Sequence, residues 1–334
     1  VPSSYPSLFN DVFGPVMQPG SSSHTAGPCR LGYLAHSLLG EAPAKVEVLL
    51  DEKGSFAGTL GLMAEDLAML AGALGMLPDD PGLYEARRLA EAAGVEFRIE
   101  FGSLSPFEHP NSILFRLTGV SGRRASLLGE STGGGMVRTR LLNGFPLESN
   151  GDGHLVLAFV NLDEHEPAAR LSLDPETILE AGSMREQGEP LAYLRASETP
   201  DPERLRALPP SWQTVVLPPV LPVVTPPRRP ARLFNTMAEW RELAHTQDVG
   251  LWEVAVQYEM RASGWVRRRV IAYMSELARL MRRQTRAPYE EDLTPALTPF
   301  RPDFAAEWQR YANSPVRLTD ELTAATIRWA YGAG

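Results

Sequence analysis

The chain has 334 residues, 43% hydrophobic and 22% charged, the balance of a globular protein with room for about two domains rather than a disordered chain. Its 41 acidic residues against 32 Lys and Arg give a formal net charge of −9, a poor field for attracting nucleic acid or anionic lipid. One cysteine, Cys29, excludes an internal disulfide framework and any all-cysteine metal or iron–sulfur site made by this chain alone.

No apolar run reaches the ~18–20 residues of a membrane span, and the N-terminus lacks a basic-then-apolar signal layout, so the expected compartment is the cytoplasm. Lys45 and Lys53 are the two lysines. Neither has a phosphate-cradling glycine loop beside it, which argues against pyridoxal phosphate, whose chemistry needs a Schiff-base lysine.

In chain order, a Pro/Ser/Gly-rich start with an apolar patch at Phe9, Val12 and Phe13 leads to PGSSSHTAGPCRLGYLAHSLLG. Leu31, Leu34, Leu38 and Leu39 fall at helical spacing, predicting a helix over 26–39 with Ser23 and Thr25 as cap types and Pro28 in the first turn. VEVLL (46–50) reads as a strand. EDLAMLAGALGML reads as a buried helix and DDPGLYEARRLAEAAG as an amphipathic one. Val95, Phe97, Ile99 and Phe101 alternate with polar residues as a half-buried strand, and SILFRL (112–117) is its expected neighbour, with EHPN in the turn between. GESTGGGMVRTRLL reads as a glycine loop entering a strand.

After the turn cluster ESNGDG, LVLAFV (155–160) and PLAYLRA read as strands and DPETILEAG as a helix; PDPERLRALP and WQTVVLPP close a small module. VLPPVLPVVTPPRRPAR reads as an extended linker rather than a core element. Four helices follow: FNTMAEWRELAHT; GLWEVAVQYEMRASG; VRRRVIAYMSELARLMRRQT, with Val266, Val270, Tyr273, Met274, Leu277 and Met281 on one face; and TDELTAATIRWAYGAG. The expected class is α+β. The expected division is a mixed α/β domain (1–148), a small α+β module (149–220), a proline-rich linker (221–232) and a helical region (233–334).

Four motifs have chemical potential. SSSHT combines the donors of a helix entry with the hydroxyls of Ser21, Ser22, Ser23 and Thr25 and the titratable His24, which suits a carboxylate, phosphate or sulfate; the competing reading is a serine loop that only caps the helix. In EHPN, His109 sits before a proline in a restricted turn that also holds Asn111; the readings are a turn former or a histidine that moves a proton. In STGGGMV, Ser131 precedes Gly133, Gly134 and Gly135, which permit positive φ and a close ligand approach; the alternative is a plain hairpin. The run Arg267–Arg269 is a solvated face or a contact for an acidic partner.

Together these segments resemble the iron–sulfur-dependent L-serine dehydratases of bacteria. SLFNDVFGPVMQPGSSSHTAGPCRLG resembles the family's opening signature, and GSFAGT, LPDDP, EHPNSILFRL and ESTGGGMV are similar to later blocks in order. Residues 155–220 resemble a degenerate ACT module, an amino-acid-sensing fold, and 233–285 resemble the start of the catalytic α region. The resemblance implies substrate binding by Ser21, Ser22, Ser23 and Thr25, with Asn111, Ser131, Gly133, Gly134 and Gly135 as further binding residues. It makes His24 and His109 the catalytic candidates. It also implies a small amino-acid-like substrate and a [4Fe-4S] cluster on α-region cysteines that polarises the departing hydroxyl.

Two departures stand out. The cysteine-bearing α segment is absent from the sequence, so a second subunit is expected to supply it. The family's GHGTD-like block reads GLMAED (61–66) here, keeping only the final acid. Hydroxide is a poor leaving group that needs a Lewis or general acid. The expectation is therefore one half of a heteromeric lyase that binds no cofactor alone and takes any cluster from its partner. Three alternatives stay open: cluster-free elimination or cyclisation of a substrate carrying sulfate or phosphate, a non-catalytic amino-acid-binding regulatory subunit, and a decayed gene product.

Overall fold

The computed structural model describes residues 6–107, 109–159, 176–206, 208, 211–228 and 230–290, with side chains to 283. The described residues are mixed α+β with two sheets. The first holds β1 (Pro43–Asp51), β2 (Glu96–Gly102), β3 (Ser112–Gly119), β4 (Arg124–Gly133) and β5 (Met136–Leu142) in the order β2-β1-β3-β4-β5. β1 and β2 are parallel, joined by a crossover through α2 (Phe56–Thr59), α3 (Glu65–Ala73) and α4 (Ala86–Ala92); the other pairs are antiparallel.

Alternation decides which side of this sheet is buried. Val46, Val48 and Leu50 of β1 and Ile113, Phe115 and Leu117 of β3 point to one face and are fully buried. Against that face lies α1 (Gly27–Leu39), through Leu31, Leu34, Leu38 and Leu39. Gly40 ends α1 in the left-handed region at φ 73°. α1 and α3 approach closely: a Cβ on Gly72 would stand 2.0 Å from the Cys29 carbonyl oxygen, and one on Gly32 2.7 Å from that of Met69.

The second sheet contains β6 (His154–Phe159), β7 (Ile178–Glu186), β8 (Glu189–Ala196) and β9 (Gln213–Leu217) in the order β7-β8-β6-β9, all antiparallel. Leu155, Leu157, Leu191, Val215 and Leu217 join the main core beside α1, while Val156, Ala158, Ala192 and Leu194 form a second cluster with Trp212. α5 (Pro202–Arg206) lies between β8 and β9.

The stretch ILEAG, expected as helix, is the start of β7. Its residues favour a helix locally, but pairing with β8 through the Gln187–Gly188 turn overrides that preference. The amphipathic helix expected from DDPGLYEARRLAEAAG is confined to a 3₁₀ turn at Leu83–Glu85 and α4. The proline-rich linker is extended, yet Val223 is 2% exposed and exchanges two hydrogen bonds with the Asn10 side chain. It therefore belongs to a core, shared with Phe9, Val256, Val270 and Leu277. Three helices follow: α6 (Met237–Thr246), α7 (Leu251–Ser263) and α8 (Arg267–Glu290). The last expected helix, TDELTAATIRWAYGAG, lies outside the described residues. No helix among those described is long and apolar enough to cross a membrane.

Candidate active site

SSSHT forms a single π-helical turn, Ser22–Ala26, that runs straight into α1. Ser21 caps it: its hydroxyl oxygen accepts the His24 N–H at 3.2 Å, and its carbonyl accepts the N–H of Thr25 at 2.7 Å and of Ala26 at 3.2 Å. The N–H groups of Ser22 and Ser23 make no hydrogen bond among the described residues, as expected at a helical start.

The side chains form a directional chain. Asn111 Nδ2 donates to the Ser131 carbonyl at 3.1 Å, which fixes Asn111 Oδ1 as an acceptor. The Ser55 hydroxyl donates to that oxygen. Ser55 Oγ then faces His24 Nε2 at 3.3 Å as an acceptor, which places the proton of a neutral imidazole on Nε2. His24 Nδ1 is left as the acceptor for the Ser23 hydroxyl at 2.9 Å, and Ser21 Oγ stands 3.3 Å from Ser23 Oγ. The relay runs Ser21, Ser23, His24, Ser55, Asn111. The Phe56 ring meets the imidazole edge-on at 5.1 Å.

Other expected site residues act as supports. The Thr25 hydroxyl, wholly buried, donates to the Met63 carbonyl at 2.7 Å and accepts the Ser21 N–H at 3.1 Å. Ser131 Oγ donates to the Ser23 carbonyl at 2.7 Å. Both hydroxyl protons are thus committed to main chain, and these side chains hold the turn in place rather than offering a donor to a ligand. Gly27 makes room for Ser131, since a Cβ there would lie 2.1 Å from its Oγ. His109 Nδ1 accepts the Asn111 N–H at 3.1 Å, so a neutral His109 carries its proton on Nε2. Gly133, Gly134 and Gly135 sit at the β4–β5 turn with φ of 100°, 60° and 76°. The Gly135 carbonyl accepts Arg30 Nη1 at 2.5 Å. These glycines thus build a tight hairpin turned toward Arg30.

Sequence reasoning missed two residues. Ser55 completes the relay; its signal was the GSFAGT block, whose serine carries no motif of its own. Glu65 is fully buried in GLMAED and its Oε2 accepts the N–H groups of Gly61 and Met63, both at 3.0 Å, bracing the loop that receives Thr25. The retained acid Asp66 pairs instead with Arg87 at 2.9 Å.

No family model matches the chain. It is similar to the "L-serine dehydratase, beta chain" of Peptoniphilus asaccharolyticus, 34% identical over 147 residues, 44% of this chain and 65% of that protein. It is also similar to the "Probable L-serine dehydratase, beta chain" of Bacillus subtilis (strain 168), 36% identical over 157 residues, 47% of this chain and 69% of that protein. The chain belongs to the L-serine dehydratase beta-chain family. The matches span about two thirds of those beta chains and less than half of this one.

An iron–sulfur cluster does not fit the residues this beta-chain relative provides. Cys29 is wholly buried, its Sγ donates to the Met76 carbonyl at 3.5 Å, and burial pushes its thiol well above the ordinary range; iron needs the thiolate. No group of three or more His, Cys, Asp or Glu among the described residues could hold a metal ion.

Proposed function

We propose that this chain is the beta-type half of a serine-dehydratase-type lyase that removes a β-oxygen leaving group from a small amino acid, with L-serine as the default substrate and a partner chain completing the site. The observation that carries the reading is the directional relay from Ser21 through His24 to Asn111, seated on a helical start with free N–H groups. The N–H groups of Ser22 and Ser23, with the Ser22 hydroxyl, bind the substrate carboxylate. His24 Nδ1 is the basic atom: it takes a proton once the Ser23 hydroxyl turns to the ligand, and the imidazolium keeps its Nε2–H on Ser55. His109 presents Nε2–H as a donor. Loss of the α-proton and the β-oxygen leaves an enamine that water converts to an oxo acid and ammonia. Departure of hydroxide needs an acid, and we assign that group to the partner.

The alternating strand order of residues 154–217, with β8 set between its hairpin partner β7 and β6, supports reading 149–220 as an ACT-like module between domains at 1–148 and 233–334. The test is co-expression with an α-type serine dehydratase subunit. A stable assembly should release pyruvate from L-serine, and His24→Ala should lower turnover by on the order of a hundredfold or more. Full activity of His24→Ala, or failure of every such subunit to assemble, overturns the reading.

A further inference from the structure

The cleft bounded by α1, the loop before α4, the strap after β9 and α8 has a volume of about 490 Å³, within the roughly 300–1,000 Å³ of small-molecule sites. Its chemistry is unlike that of the serine turn. Arg30 lines it while only 5% exposed. Nη1 is held by the Gly135 carbonyl, and buried Nε has no partner among the described residues. No carboxylate pairs with this guanidinium among the described residues, and burial pulls it down to about 10 against the opposing pull of Cys29, Tyr273 and Asp79. A desolvated cation with free donors is destabilising until an anion meets it, and a guanidinium fork matches a carboxylate.

The cleft is not a plain anion site. Arg269 Cζ stands over the Trp265 ring, 3.8 Å from its centroid, and both residues line the cleft. Asp79 and Glu276 also line the cleft, and neither carboxylate is in an ion pair among the described residues. Two cations and two carboxylates leave no net charge. A bare anion would meet repulsion from the acids, and a bare amine from the arginines. A molecule with both charges satisfies all four. Apart from the Tyr273 hydroxyl, the remaining side chains of the wall are apolar, among them Leu77, Val220, Leu221 and Trp265; a molecule the size of serine would leave that surface wet.

We propose that this cleft binds a free α-amino acid with a large apolar side chain, its carboxylate on Arg30 and Arg269, its ammonium at Asp79 and Glu276, and its side chain on the apolar wall. The site is separate from the relay, so it stands or falls apart from the lyase reading.

The experiment is calorimetric titration of the full chain with L-phenylalanine, 3-phenylpropanoate and 2-phenylethylamine. L-Phenylalanine should bind saturably. The two analogues, each lacking one charge, should bind at least about tenfold more weakly, a factor of ~1.4 kcal/mol. Because Arg30→Met risks misfolding, the exposed variants Arg269→Gln and Glu276→Gln carry the test, and each should weaken L-phenylalanine about tenfold with the circular dichroism unchanged. No saturable binding up to about 10 mM, equal binding of either analogue, or unchanged affinity in both variants overturns the proposal.

Discussion

Replacing Glu259 with glutamine should flatten the pH dependence of this protein's stability. Glu259 lies on α7, wholly buried, and holds the N-terminal segment: Oε1 accepts the Ser7 hydroxyl at 2.7 Å and Oε2 the Leu8 N–H at 2.6 Å. Burial pushes its carboxyl up from 4.5 to about 7, against the pull of those two hydrogen bonds. The folded value therefore exceeds the unfolded one, and the native state keeps a proton that the unfolded chain releases. The resulting stabilisation is complete below the unfolded value and is lost as pH rises through about 7. At ~1.4 kcal/mol per pH unit, the loss amounts to about 3 kcal/mol. Glu259→Gln cannot titrate and keeps one acceptor for Leu8. Urea unfolding of both proteins at a series of pH values between about 4.5 and 8 should show the wild type losing some 3 kcal/mol more than the variant. Parallel profiles would refute the claim that a desolvated carboxyl holds the N-terminal segment.

Three further predictions concern α1 and its surroundings. Ser55→Ala removes an acceptor from His24 and a donor from Asn111, about 1 kcal/mol each; in the assembled lyase it should lower turnover about tenfold, and far less in a His24→Ala background, as a double-mutant cycle will show. Gly27→Ala forces Ser131 away from the Ser23 carbonyl and should destabilise the chain by about 1–3 kcal/mol, read as a drop in the urea midpoint. The Cys29 thiol should ignore an aromatic disulfide reagent in the native protein and react fully after unfolding; fast native reaction would contradict the packing of α1 on α3.

Elements whose burial is periodic were legible in the sequence. The four leucines of α1 and the alternation in β1 and β3 each reflect one buried face, and one face is what a periodic pattern encodes; β6 reads instead as a short apolar run, because both of its faces are covered. β7 was not, because Leu179, Glu180 and Ala181 carry helix-favouring side chains and strand identity came from β8. The linker's Val223 was hidden for a similar reason: prolines mark an extended path, but its burial depends on Asn10, more than two hundred residues away in sequence. At the site, Ser21 to Thr25 was legible as a dense motif. The division of labour within it was not. Thr25 and Ser131 look like ligand donors in a string of hydroxyls and become props once Met63 and Ser23 offer carbonyls, while Ser55 has no local mark and joins through the turn at Pro110.

The two proposed sites share one helix, and that sharing has a physical reason. α1 must lie close to β4 and α3, so small residues at Gly27, Gly32 and Gly72 replace side chains along its contacts. A helix packed this tightly is a rigid mount. Its entry carries His24, and Arg30 six residues further on reaches the Gly135 carbonyl at the end of the same β hairpin whose Ser131 holds the Ser23 carbonyl. A ligand that draws the Arg30 guanidinium toward the cleft would load the hairpin that holds the Ser23 carbonyl, and with it the residue whose hydroxyl faces His24. L-Phenylalanine should therefore alter the pH profile of lyase turnover in the assembled enzyme, and Glu276→Gln should displace that effect to about tenfold higher L-phenylalanine without changing turnover in its absence. An unchanged profile at saturating ligand would show that the hairpin absorbs the load and that the two sites are independent.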